Sequence, residues 1–129
     1  MATELLNKLG KVEADNLVVG TVPALRVGSG KLRKNSGAMK RGTVLAKSSA
    51  DGALVILGTE KAEGETLEAY GILTDDIDVP ESEDVNMTIY ISGKFNTNRI
   101  ILADGYTMTE NDKDTLRKYG IEFAAAATI

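Results

Sequence analysis

Carboxylates are the only side chains here that crowd closely enough in sequence to suggest chemistry. Asp75, Asp76 and Asp78 fall within one short stretch, and hard oxygen donors of that kind suit Ca2+ or Mg2+. The stretch lacks the glycine and the terminal glutamate of an EF-hand loop, and it leads directly into Val79 and Pro80. It reads first as a solvated acidic turn, with a cation site as the lesser reading. Gly28, Ser29, Gly30 and Lys31 approximate a phosphate-cradling loop, but Leu25 stands where its first glycine belongs and Leu32 where its Ser or Thr belongs. Neither a G-x-S-x-G elbow nor an S-x-x-K motif with its supporting partners is present. Cys and His are absent altogether, which excludes disulfide scaffolds, thiolate metal sites, cysteine nucleophiles and imidazole catalysis. The expectation is a protein that is not an enzyme, with no catalytic, cofactor-binding or metal-binding residues.

Charge is the next candidate for function. Residues 1–50 carry nine Lys and Arg against three Asp and Glu, and residues 51–129 carry six against sixteen. Such polarity can hold a molecule against an oppositely charged partner or set neighbouring subunits in register. Lys31, Arg33, Lys34, Lys40 and Arg41 concentrate the positive charge, which makes a small β-domain gripping nucleic acid or another polyanion the second reading of function. Every aromatic residue lies at Tyr70 or beyond, so the basic segment carries no stacking platform for bases, and no nucleic-acid partner is expected.

The elements that must position these groups are mostly strands. With 129 residues the chain fits one domain, able to bury roughly two-thirds of its unfolded surface. Val85, Met87, Ile89 and Ile91 alternate with polar residues and share one face of a half-buried strand over 85–92, and Gly93 ends the alternation. Residues 69–73 form a second β-like run. The two pair only around the acidic connection 74–84. Residues 43–47 and 53–57 read as strands joined by a five-residue loop ending in Asp51 and Gly52. Residues 28–42 and 58–66 read as loops. A helix follows Thr109 as N-cap, with Glu110 and Asp112 in its first turn, Arg117 and Lys118 in its last, and Gly120 as its stop. Leu116 and Tyr119 face the sheet from it, and residues 121–123 resume extended structure.

The leading residues divide in two. Thr3 is placed to cap a short helix over residues 4–9, closed by Gly10, and a helix of two turns persists only when packed on something. Asn16, Leu17, Val18, Val19, Thr21, Val22 and Pro23 are extended in character, and Pro23 argues against a central place in a sheet. Such a segment is either an edge strand of its own domain or a strand lent to another protein. The domain division is a 1–27 arm followed by a β-rich domain at 28–129. No apolar run approaches a membrane span, and the start lacks the apolar stretch of a signal peptide. A soluble chain made in the cytoplasm, without a membrane partner, is expected.

Three blocks in order carry a resemblance. Gly37-Ala38-Met39-Lys40-Arg41-Gly42-Thr43-Val44-Leu45 is followed by Ala69-Tyr70-Gly71-Ile72-Leu73, then by Tyr90-Ile91-Ser92-Gly93-Lys94-Phe95-Asn96, and finally by a short helix before a C-terminal strand. This succession resembles the lambda-type head decoration proteins of tailed phages over about residues 15–123. The resemblance implies a mainly β, β-clip-like domain of antiparallel strands with one short C-terminal helix. It implies a homotrimer bound to the major capsid protein outside an expanded capsid, at three-fold positions, cementing the shell and located in the virion. It also implies that the N-terminal arm adds a strand to the capsid protein, which gives Asn16 through Pro23 a capsid-binding role.

Overall fold

The computed structural model describes residues 17–20, 23–60 and 63–124. The expected helix at 4–9, Asn16, Thr21, Val22 and the run after Ala124 lie outside the described residues. Among the described residues, nine strands and one helix follow in order: β1 Val18–Gly20, β2 Arg26–Leu32, β3 Gly37–Met39, β4 Val44–Ser48, β5 Leu54–Ile56, β6 Leu67–Leu73, β7 Ile77–Val79, β8 Val85–Asn96, α1 Glu110–Lys118 and β9 Ile121–Ala124. Among the described residues the protein is mainly β, with one short helix near the C-terminal end.

Strand order runs β1-β8-β2-β5-β4-β6, and β6 also pairs with β8. Strands β8, β2, β5, β4 and β6 therefore close on themselves. Most pairings are antiparallel, but β2 meets β5 in parallel at Leu32 and Leu54, and β9 runs parallel to β8. Closing a sheet gives it an inner and an outer face, and this explains two buried clusters where a single core suffices for the chain length. Leu32, Leu54, Leu45, Leu73 and Ile89, one from each strand of the ring, meet in one cluster capped by Met39 and Val79. Val44, Ala46, Ala69, Ile72 and Tyr90 form the other with Leu17, Phe95, Leu116 and Ile121. Strand β4 alternates between them, with Leu45 in the first and Val44 and Ala46 in the second, as the period of two requires.

Three expectations are corrected. Residues 28–42 are not one loop, because β2 pairs with β8 from Arg26 to Leu32 and β3 pairs with β7. The glycines that suggest a loop serve close approach instead. A Cβ on Gly30 would lie 2.5 Å from Leu54 Cδ1 and 3.1 Å from Ile89 Cδ1. Gly93 does not end the long strand, which continues to Asn96. Its φ of +143° bends β8, so that the first part pairs with β2 and the second with β1 and β9. The acidic connection holds the short strand β7, set against β3 with Ala38 opposite Asp78.

The helix follows its sequence signals closely. Thr109 accepts a hydrogen bond from the Asp112 N–H while the Asp112 carboxylate accepts from the Thr109 N–H, a reciprocal capping box. Leu116 is fully buried against the sheet. Tyr119 stays about half exposed, 47%, with its ring edge-on to Tyr70 of β6 at 6.1 Å between centroids. Among the described residues no helix is long and apolar enough to cross a membrane.

Candidate functional site

The acidic stretch uses its carboxylates on its own backbone and on the neighbouring turn. Asp75 Oδ1 accepts from the Asp76 N–H at 2.8 Å, and Asp76 Oδ1 accepts from the Arg41 N–H at 2.8 Å. Asp78 points out of β7, exposed. Among the described residues no group of three or more His, Cys, Asp or Glu is arranged to hold a metal ion.

The basic segment and the acidic connection, far apart in sequence, lie against each other. Lys31 Nζ stands 3.7 Å from Asp84, the Lys34 N–H donates to Asp84 Oδ1 at 2.8 Å, and the Asn35 N–H donates to the Pro80 carbonyl at 2.6 Å. Arg41 donates through Nη1 to the Thr74 carbonyl at 2.8 Å and to the Tyr90 hydroxyl at 2.7 Å, and its guanidinium lies 5.5 Å from the Tyr90 ring centre. Arg33 donates through Nη2 to Glu65 at 2.7 Å and to Asp51 at 3.2 Å. Lys31 and Arg33 of the basic segment thus meet carboxylates from the acidic part of the same chain.

The Arg33 group is the polar network that sequence reasoning missed. Glu65 is buried and also accepts from the Ser48 hydroxyl. Arg33, just past the end of β2, thereby reaches Glu65, 32 positions on in the sequence, and Asp51, 18 positions on. Glu65 sits in what reads as an ordinary polar loop, and no local signal marks it. The hydrogen bond from Arg33 to Glu65 raises the guanidinium pKa further. The Ala53 N–H, and next to it Arg33, hold the Asp51 carboxyl below its ordinary value. At the helix, burial and then the hydrogen bond to Asp112 push the Tyr106 hydroxyl up.

Of the expected arm residues, Leu17 is buried in the core at 2% exposure. Its carbonyl accepts from the Asn96 N–H at 2.7 Å. Val18 lies opposite Phe95 and Gly20 opposite Lys94 in an antiparallel pairing with β8. Val19 is half-buried, as is Pro23 beyond the pair. Strand β1 ends the path of strands, and among the described residues no strand pairs with its outer edge. A boundary at 27/28 falls inside β2, which starts at Arg26.

Beside the second half of β8 lies an open groove of about 620 Å³. Ile100, Leu102, Tyr106, Met108 and Phe123 line it while resting on the buried cluster beneath. The molecule therefore offers end strands, half-exposed apolar surface and clamped charges, a set suited to holding another protein.

Residues 8–121 match the family model for Bacteriophage lambda head decoration protein D. The chain belongs to that family. A search of the curated proteins finds no match. The matched span covers β1 through β8 and all of α1, so membership in the head decoration family extends over both buried clusters and the short β3–β7 pair. This is a family of structural proteins of the phage head, not an enzyme family, and it places the chain on the capsid of a virion.

Proposed function

We propose that this head decoration protein is a homotrimeric cement protein of β-clip type, binding the major capsid protein on the outside of an expanded capsid at three-fold positions. In this reading it is made in the host cytoplasm and joins the shell from there. The segment holding Asn16, Leu17, Val18, Val19, Thr21, Val22 and Pro23 is its capsid-binding arm. The observation that supports this most directly is the seat of β1, rooted on β8 by one edge with its other edge unpaired among the described residues. Strand addition needs such an edge. With Val18–Gly20 kept on β8, a capsid strand laid along the outer edge makes one sheet run across both proteins. Ordering the residues around β1 costs conformational entropy, offset by the new backbone hydrogen bonds.

The polyanion reading is the weaker one, since Lys31, Arg33 and Arg41 already face carboxylates, carbonyls or a tyrosine of their own subunit. Co-sedimentation tests the proposal. The isolated protein is expected to pellet with expanded capsids and not with unexpanded shells, and light scattering is expected to give a trimer, free or on the shell. Because Leu17 belongs to the core, the contact is tested on β1 itself with Val19→Lys, a charge set on an edge strand to oppose strand addition. A Val19→Lys protein that stays folded yet decorates as tightly as the parent would remove the β1 edge from the contact. Retention that is equal on both shell types, and that vanishes with added salt, would favour a general polyanion binder instead.

A further inference from the structure

Asparagine nowhere precedes glycine in this chain, but aspartate does so twice, at Asp51-Gly52 and at Asp104-Gly105. In that dipeptide the glycine, having no side chain to shield it, leaves its backbone nitrogen open to the neighbouring carboxyl carbon. Closure forms a bond from the glycine nitrogen to the aspartate Cγ, and the amide proton leaves with the carboxyl hydroxyl as water. Water then opens the five-membered ring. Breaking the bond from nitrogen to Cγ restores aspartate. Breaking the bond from nitrogen to the main-chain carbonyl carbon leaves isoaspartate, with the chain running through Cγ and the α-carboxyl released. No oxidant, reductant or further co-reactant takes part.

The fold treats the two sites differently. Asp51 and Asp104 are both exposed, so solvent access does not separate them. Hydrogen bonding does. Asp51 Oδ1 accepts from the Ala53 N–H at 3.0 Å and from Arg33 Nη2 at 3.2 Å, and the Gly52 N–H donates to the Ser48 carbonyl at 3.0 Å. Both reacting groups are thus engaged, and the same contacts, the Ala53 N–H first, favour the ionised carboxylate, which does not cyclise. At the other site Asp104 and Gly105 are the middle residues of a turn closed by the Tyr106 N–H on the Ala103 carbonyl at 3.0 Å, with Gly105 at φ +77°. Among the described residues no hydrogen bond or ion pair holds the Asp104 carboxylate or the Gly105 N–H. The space over Gly105 is open too, since a Cβ there would meet nothing within 4 Å.

We propose that Asp104 is a site of isoaspartate formation in the folded protein and that Asp51, in the same dipeptide, is protected. The product sets an extra carbon into the main chain at the edge of the apolar groove. It also presents an α-carboxyl on an exposed turn, the group that an isoaspartate carboxyl methyltransferase takes as substrate. None of this depends on capsid binding.

The test ages the isolated full chain for weeks at body temperature and neutral pH, folded or in urea, and fragments its peptides by electron transfer, which tells isoaspartate from aspartate. In the folded protein isoaspartate at 104 is expected to exceed that at 51 by about tenfold or more, because the hydrogen bonds on Asp51 must break first. In urea the two positions should convert at similar rates. Conversion at 51 as fast as at 104 in the folded protein would overturn the proposal. So would a folded protein without isoaspartate at 104 after the unfolded chain has converted, or a difference that persists in urea. Asp104→Glu should remove most of the methyl groups that an isoaspartate methyltransferase transfers to the aged, folded protein. Undiminished transfer to that variant would place the modification elsewhere in the chain.

Discussion

Arg33 and Glu65 set the outcome at the scale of single residues. Glu65 is buried and its carboxylate is satisfied in part by a guanidinium that is itself about 29% exposed. Removing the cation strands a carboxylate in poor solvent, so Arg33→Met is expected to cost about 2–3 kcal/mol, read from the midpoint of urea unfolding. The double variant with Glu65→Leu removes both charges and should recover much of that loss, since an apolar pair can replace a buried ion pair. Equal losses for the double and the single variant would show that the site needs its polar network for another reason. Asp51 gives the pH dependence. Its folded pKa lies below the ordinary one, held down first by the Ala53 N–H and then by Arg33. Its contribution is therefore present above the ordinary aspartate range and lost as pH falls through the lower folded value. Asp51→Asn should be less stable than the parent at neutral pH by a small margin, because the side chain is 47% exposed. The gap should close below the ordinary aspartate range, in unfolding curves taken across acid pH.

Two elements give contrasting accounts of what a sequence makes plain. For α1, Thr109, Asp112, the terminal charges and Gly120 all act within a few residues of one another, and the helix forms where they place it. Thr109→Ala should cost about 1 kcal/mol of stability in thermal or urea unfolding. Strand β8 was legible over 85–92 through its alternation, but its continuation past Gly93 depends on β1 and β9, which arrive from both ends of the chain. Strand β2 was hidden because glycine, serine and lysine carry no strand pattern. Its place is fixed by its register with β8 and by room for Leu54 and Ile89. The same limit hid Glu65, whose partner lies in another loop. Strand β1 is the element on which the proposed function turns. The sequence left it between an edge strand and a lent one, and its seat on β8 makes Leu17 part of the core. Leu17→Ala is accordingly expected to destabilise the isolated protein by about 2–5 kcal/mol, whereas deletion of residues 1–16 should leave the unfolding midpoint close to that of the full chain.

At the scale of the whole molecule, and under the proposed function, a three-residue strand is too short to grip a shell alone, and the strength of decoration would come from repetition. In the proposed trimer three such edges reach the capsid together. Once one has docked, the others meet their sites at a locally high concentration, and the combined grip can exceed a single contact by about 10²–10⁴. This has a consequence that a sum of independent contacts lacks. Trimers assembled from mixtures of parent chains and chains carrying Val19→Lys, a charge that opposes strand addition at the β1 edge, should not lose affinity in proportion to the fraction of altered chains. Each arm blocked is expected to raise the rate of release from expanded capsids by about tenfold or more, so that trimers with one intact arm wash off while those with three remain. Release measured by sedimentation after dilution distinguishes the two cases. A loss that tracks the number of intact arms linearly would mean that the arms act separately, and would place the grip of this head decoration protein in the body of the β domain.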